Sequence, residues 1–155
     1  MKFTFLFLGK TREEYLEKAI GDYAERLGRF VPTNLVVLKE KHSKKGDEET
    51  IKRKDGEMLL DASNDGSYRV ALDPRGKQPD SEELAEILAG WEKQNIRSVS
   101  FLIGGHLGLH ETVIGQADLL LSLSRLTFTH EMSRFILLEQ LYRACTIKAG
   151  HNYHK

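Results

Sequence analysis

Residues 98–108 read SVSFLIGGHLG, and the fold is decided there. Val99, Phe101, Leu102 and Ile103 form a β-rich apolar run too short for a helix, which predicts a buried strand. Gly104 and Gly105 stop it. Two adjacent residues without Cβ let the chain turn sharply and let a ligand lie against the main chain. In an open α/β sheet, small ligands bind just past the carboxyl end of a strand. The stretch therefore points to a cofactor pocket without saying which cofactor. An ordinary strand-to-helix turn has the same spacing.

Working outward, strands and helices alternate. Lys2 to Gly9 reads as a first strand, and residues 11–14 (TREE) have capping-box spacing and open a helix. Tyr15, Ala19, Ile20, Tyr23 and Leu27 give that helix an apolar face, and Gly28 closes it. Asn34 to Lys39 reads as a second strand. The polar run 39–49 (KEKHSKKGDEE) reads as a surface loop, and a helix follows over 50–62. Tyr68 to Asp73 is a third strand, stopped by Pro74 and the turn chemistry of Arg75, Gly76 and Lys77. Asp80 and Glu83 cap a helix carrying Leu84, Ile87, Leu88 and Trp91. Beyond the quoted stretch come a short helix over 111–117, a brief fifth strand over 119–121, a loop over 122–130 and a last helix over 131–149. The last helix is apolar on more than one stripe, so it needs two covering surfaces: its own sheet and a partner subunit. This order predicts a single α/β domain over residues 1–155, a mostly parallel sheet flanked by helices.

Composition narrows the class. The chain has 155 residues, 40% hydrophobic and 30% charged, which suits one globular core and not a disordered chain. No apolar run approaches the ~20 residues of a membrane helix, and the opening MKFTFLFLGK reads as a buried strand, not a signal peptide. Cys145 is the only cysteine, which excludes an internal disulfide and fits a cytoplasmic chain; on a helical face it reads as an inert core thiol. The net charge of +0 means that a nucleic-acid partner meets a local patch, not a global positive field.

Several motifs are excluded by their order. GGHLG is not the dinucleotide pattern G-x-G-x-x-G, and no G-K-[ST] follows to make a phosphate loop. His106, His110 and Glu111 are not in H-E-x-x-H order, so no metal is expected. His151 and His154 flank Tyr153 and precede Lys155, an aromatic-basic tail suited to touching nucleic acid. The loop 122–130 (SLSRLTFTH) alternates hydroxyls with apolar side chains. It can offer main-chain hydrogen bonds and an apolar wall to a flat heterocycle, or simply pack with its hydroxyls as caps.

Taken together, FLIGGHLGL at 101–109, LSLSRLTFTHEMSR at 121–134, EQLYRA at 139–144, the ending HNYHK at 151–155, and also FLFLGK and ALDPRGK earlier, resemble the ribosomal RNA large-subunit methyltransferase H family. The resemblance covers essentially the whole chain. It implies a SPOUT-type fold with a C-terminal trefoil knot, a rare exception to unthreaded chains, and a homodimer with its sites at the interface. It implies S-adenosylmethionine as cofactor and N3 of a pseudouridine in 23S-type ribosomal RNA, within the assembled ribosome, as methyl acceptor. Carried over by residue, the cofactor pocket would be lined by Leu72, Gly104 and Gly105, and by the loop residues Leu123, Ser124, Arg125, Leu126, Thr127, Phe128 and Thr129. His154 and Tyr153 would reach from the tail into the partner's site as catalytic groups, with Arg143 contacting base or phosphate. Arg75, Lys77 and Arg125 are candidate RNA contacts. One departure is visible: family members usually carry proline before the loop histidine, where this chain has Thr129, which restores a backbone donor and frees φ. Two alternatives remain open, a non-catalytic RNA-binding module of the same fold and a SPOUT methyltransferase acting on transfer RNA.

Overall fold

A computed structural model of the chain describes residues 1–40 and 46–155. Residues 41–45 of the polar run over 39–49 thus lie outside the described residues, and its last two residues already belong to a helix. The elements run β1 (Lys2–Leu8), α1 (Glu14–Gly28), β2 (Thr33–Leu38), α2 (Glu48–Ala62), β3 (Tyr68–Lys77), α3 (Ser81–Lys93), β4 (Ser98–Ile103), α4 (Glu111–Gln116), β5 (Leu119–Leu121) and α5 (His130–Lys148), with a closing 3-10 turn at Asn152–His154. The five strands form one sheet in the order β2-β1-β4-β3-β5, and every pairing is parallel.

Alternation along the strands explains the layers. Phe3, Phe5 and Phe7 of β1 and Val99, Phe101 and Ile103 of β4 point to one face, where α1, α3 and α5 cover them. Phe5 stacks on Phe101 with ring centroids 4.7 Å apart, and Trp91 of α3 meets Phe3 edge-on at 6.3 Å. Leu6, Leu8, Ala71 and Leu102 point to the other face and pack on Leu59 of α2 and Val113 of α4. The central strands are buried on both faces, as a parallel sheet requires.

Three details depart from the sequence reading. No capping box forms at 11–14: Glu13 is the N-cap of α1 and makes no side-chain cap bond. The carboxylate of Glu131, from α5, instead accepts the main-chain N–H of Arg12 and Glu13. Tyr15 is exposed and Leu16 takes the buried position. Strand β3 also does not stop at Asp73. It bulges over 73–76 and rejoins β5 at Lys77, which pairs with Leu121. Gly76 permits this, because a Cβ there would lie 2.5 Å from the carbonyl carbon of Leu120.

Among the described residues, no helix is long and apolar enough to cross a membrane. Cys145 is buried, and burial pushes its thiol up to about 11, which keeps it a protonated core group.

Candidate active site

Strands β3, β4 and β5 end side by side, and a cavity of about 510 Å³ opens over their carboxyl ends. Leu72, Asp73 and Pro74 line it from β3, Ile103 to Gly108 from β4 and its turn, and Ser122 to Ser124 with Leu126 to Thr129 from the loop after β5. His130 and Ser133 of α5 close it. The size falls among small-molecule sites, and the lining is mostly apolar with a few polar groups.

The glycine turn is built for close approach. A Cβ on Gly104 would sit 2.7 Å from the carbonyl oxygen of Gly108, so only glycine fits. Gly108 has φ +77, and its N–H donates to Gly105 O at 3.0 Å to close the turn. Around Gly105, by contrast, nothing lies within 4 Å of the Cβ position. That strip of backbone is open to a ligand.

The loop after β5 is held at its ends. Ser122 N–H donates to Lys77 O at 2.8 Å, and the Ser124 hydroxyl accepts from Leu126 N–H at 3.0 Å. Thr129 is the N-cap of α5, its hydroxyl accepting from Met132 N–H at 3.2 Å. Between these anchors, among the described residues, the main chain of 123, 127 and 128 makes no backbone hydrogen bond. Such groups need partners when the cavity fills, and a heterocycle with ring nitrogens and an amino group supplies them. The residues present therefore fit an adenosyl group between an apolar wall and exposed main-chain donors and acceptors.

The electrostatics of the cavity are quiet. Asp73 is buried at its rim, and Arg75 grips it from its backbone N–H at 2.9 Å, from Nε at 2.8 Å and from Nη2 at 3.1 Å. This grip holds the Asp73 carboxyl below its usual range. Arg75 also reaches Glu111 Oε1 at 3.0 Å, tying β3 to α4. His130 is half-buried, and burial, with Arg134 and His106 nearby, lowers its pKa and keeps it neutral near pH 7. A site without net positive charge suits a cationic ligand.

Of the ten residues expected to line a cofactor pocket, nine meet in this cavity: Leu72, Gly104, Gly105, Leu123, Ser124, Leu126, Thr127, Phe128 and Thr129. Arg125 does not line it and points to solvent. Arg143, Tyr153 and His154 lie together elsewhere, near the far end of α5. Arg143 pairs with Glu139 at 2.6 Å and stacks 4.8 Å over the Tyr153 ring. The Tyr153 hydroxyl is 2.8 Å from that of Tyr23 and donates to Glu139 Oε1 at 3.1 Å. Burial and these partners raise its pKa well above the ordinary phenol value, so it stays protonated. His154 is more exposed, 3.8 Å from Glu82.

Sequence reasoning missed Asp73, His106, His130 and Ser133 as lining residues. Asp73 escapes notice because Asp-Pro reads as a strand stop, and His130 and Ser133 because the start of a helix reads as the end of a loop site. His110 is committed elsewhere: Nδ1 accepts from Thr112 N–H at 3.2 Å as the N-cap of α4, and Nε2 lies 2.8 Å from Glu49 Oε1. Among the described residues, no group of three or more His, Cys, Asp or Glu is placed to hold a metal ion.

The family described as "Predicted SPOUT methyltransferase" matches residues 1–154. The chain belongs to the SPOUT methyltransferase family. Proteins named ribosomal RNA large subunit methyltransferase H resemble it from end to end. That of Desulfotalea psychrophila is 45% identical over 155 residues, and that of Bifidobacterium adolescentis 42% over 159, each alignment covering 100% of both chains. That of Clostridium novyi is 40% identical over 159 residues with the same coverage. Among solved structures, a probable methylase family protein from Haemophilus influenzae Rd KW20 superposes with a TM-score of 0.53 at 15% identity. It covers 96% of this chain and 66% of its own, and supports the SPOUT fold alone.

Proposed function

We propose that this SPOUT methyltransferase moves a methyl group from S-adenosylmethionine to N3 of a pseudouridine in 23S-type ribosomal RNA. It would do so in the cytoplasm, on the assembled ribosome. The observation that carries the reading is the cavity over β3, β4 and β5, where nine expected residues converge in a chain whose full-length relatives are named for large-subunit ribosomal RNA. Net charge of +0 favours a substrate already shaped by the ribosome over naked RNA.

When bound, S-adenosylmethionine supplies a methyl group on a positively charged sulfur. The protein's own work is placement. The turn Gly104–Gly105 and the loop 123–129 would hold the adenosyl part through main-chain contacts, with Leu72, Leu126 and Phe128 as the apolar wall. The two reacting centres must be brought to about 3–3.5 Å and in line. Ordering from remote contacts makes that geometry cheap at the moment of transfer.

The tail needs a second copy to take part. Ser133 lines the cavity and Arg143 stands ten residues further along α5, about 15 Å along the helix axis. Within one chain, Arg143, Tyr153 and His154 cannot meet the pocket. A homodimer packed along α5 would bring one protomer's tail to its partner's cavity. The half-buried Met132, Phe135 and Ile136 on that helix favour such packing. Tyr153 would then act as a hydrogen-bond donor, Arg143 as a base or phosphate contact, and His154 as an electrostatic helper. A knotted C-terminal half, which the resemblance implies, belongs to the same reading.

The test is methyl transfer from labelled S-adenosylmethionine to ribosomes from cells lacking this gene, with the nucleoside identified by mass spectrometry. Label as N3-methylpseudouridine in large-subunit RNA is expected. Label in transfer RNA, or bound cofactor with no transfer to ribosomes, overturns the substrate. No binding and no transfer overturns the enzyme.

A further inference from the structure

Three side chains in the cavity's lining can take up a proton: Asp73, His106 and His130. Asp73 is committed to Arg75 through three hydrogen bonds, which makes it a weak base. His106 rides exposed on the glycine turn. His130 is different. It is the first residue of α5, directly after the Thr129 cap and directly before Glu131, whose carboxylate is anchored on two main-chain N–H groups. The backbone that carries the ring is thus fixed on both sides.

Its surroundings also select a proton position. Glu131 Oε2 lies 4.0 Å from Nε2. That is beyond hydrogen-bond distance, but the charge of the carboxylate on that side still favours the proton on Nε2 and leaves the lone pair on Nδ1. The charged and titratable groups facing the ring are Arg134 and Glu131 on α5, His106 on the β4–α4 turn and Glu40 after β2. Burial, with Arg134 and His106 beside the ring, outweighs the two carboxylates, so the ring is neutral and able to accept.

We propose that His130 is the proton acceptor of this site, taking the ring N–H proton of the base as its nitrogen is methylated. The assignment rests on the methyltransferase reading above. The imide N3 of a pseudouridine carries a proton that must leave. As the N3–CH3 bond forms, the S–CH3 bond breaks and its electron pair stays on sulfur. The N3 proton passes to Nδ1 of His130, so the positive charge moves from sulfonium to imidazolium. No other reactant is needed. Proton removal by a placed base contributes roughly a hundredfold to ten-thousandfold.

The experiment compares the full-length wild type with His130→Gln and His154→Gln in labelled transfer to unmethylated ribosomes across pH. S-adenosylhomocysteine affinity is measured in parallel by calorimetry. In the wild type the rate should fall on the acid side, at a pH below the ordinary imidazole value of about 6.5. In His130→Gln the rate at neutral pH should fall at least about a hundredfold and then climb with rising pH, while affinity stays within about threefold. Nitrogen-15 NMR of the wild type, which depends on no variant, should show His130 neutral with its proton on Nε2 at pH 7. A His130→Gln protein with wild-type rate and profile overturns the proposal. So does an imidazolium at pH 7, or loss of the acid limb in His154→Gln alone. If the wild type transfers no label at all, the methyltransferase reading itself falls and the assignment with it.

Discussion

Glu131, in the first turn of the last helix, accepts a 2.7 Å hydrogen bond from the main-chain N–H of Arg12, 119 positions earlier in the chain. The same oxygen takes the N–H of Glu13 at 3.1 Å. A buried carboxylate from one helix thus satisfies the exposed start of another, where a negative charge is favoured. Glu131→Ala would leave both donors without that partner and should cost about 1–3 kcal/mol, read as a lowered urea midpoint with unchanged slope. A midpoint shift under about 0.5 kcal/mol would mean water replaces the carboxylate without loss.

The two glycines of the turn should behave differently. Gly104→Ala pushes a Cβ onto the carbonyl of Gly108, so both stability and cofactor affinity should fall together. At Gly105 the Cβ has open space, so Gly105→Ala should leave the melting temperature within about 1 °C while weakening cofactor binding. Equal affinity in Gly105→Ala and wild type would show that the ligand does not lie against this backbone.

Thr129 has φ −60, which is the angle a proline ring imposes, and its own N–H donates to nothing among the described residues. The φ that threonine leaves free therefore stays where a proline ring would hold it. Thr129→Pro should change stability by less than about 1 kcal/mol, because stiffening of the unfolded chain offsets the lost cap. Thr129→Val, which loses the cap without that gain, should be destabilised by about 1 kcal/mol. Thermal denaturation of both variants separates the two effects.

The Asp73–Arg75 grip predicts an acid response. Its folded pKa is depressed, so the stabilisation is fully present above the unfolded value of about 3.9 and is lost as pH falls through the lower folded value. Arg75→Met removes the grip. The gap in stability between wild type and Arg75→Met should be constant above about pH 5 and close below about pH 4, measured by denaturation across that range. A gap independent of pH would show that Arg75 acts through packing alone.

Deleting Asn152 to Lys155 removes Tyr153 from between Tyr142, Arg143 and Tyr23, with ring centroids of Tyr142 and Tyr153 4.8 Å apart. The core lies elsewhere, so the fold should survive with a loss of about 1–3 kcal/mol. Methyl transfer should be abolished while S-adenosylhomocysteine binding is kept. Full activity in the truncated protein would remove the tail from the reaction.

Much of this was legible in the chain. Short apolar runs located the five described strands, because the central strands of a parallel sheet are buried on both faces and read as continuous apolar stretches. Asp80 and Glu83 form the capping box their spacing predicts. The residues that escaped are those whose partners are far off in sequence. TREE at 11–14 has the spacing of a box, yet Thr11 spends its hydroxyl on Arg134 and leaves the cap to Glu131. Lys77 reads as turn chemistry because nothing local says that β5 will arrive beside it. His130 and Ser133 belong to the cavity only because α5 begins at its rim.

Strand β1 lies between β2 and β4, and its phenylalanine face is roofed by the final helix, whose buried Arg134 donates to Leu8 O at 2.7 Å. During synthesis, FTFLFL therefore leaves the ribosome about a hundred residues ahead of the strand that shields its open edge, and further still ahead of the helix that roofs it. The nascent amino-terminal half is a sticky, incomplete sheet. Its apolar face is covered only once the last third of the chain is present, so the fold is dominated by distant contacts.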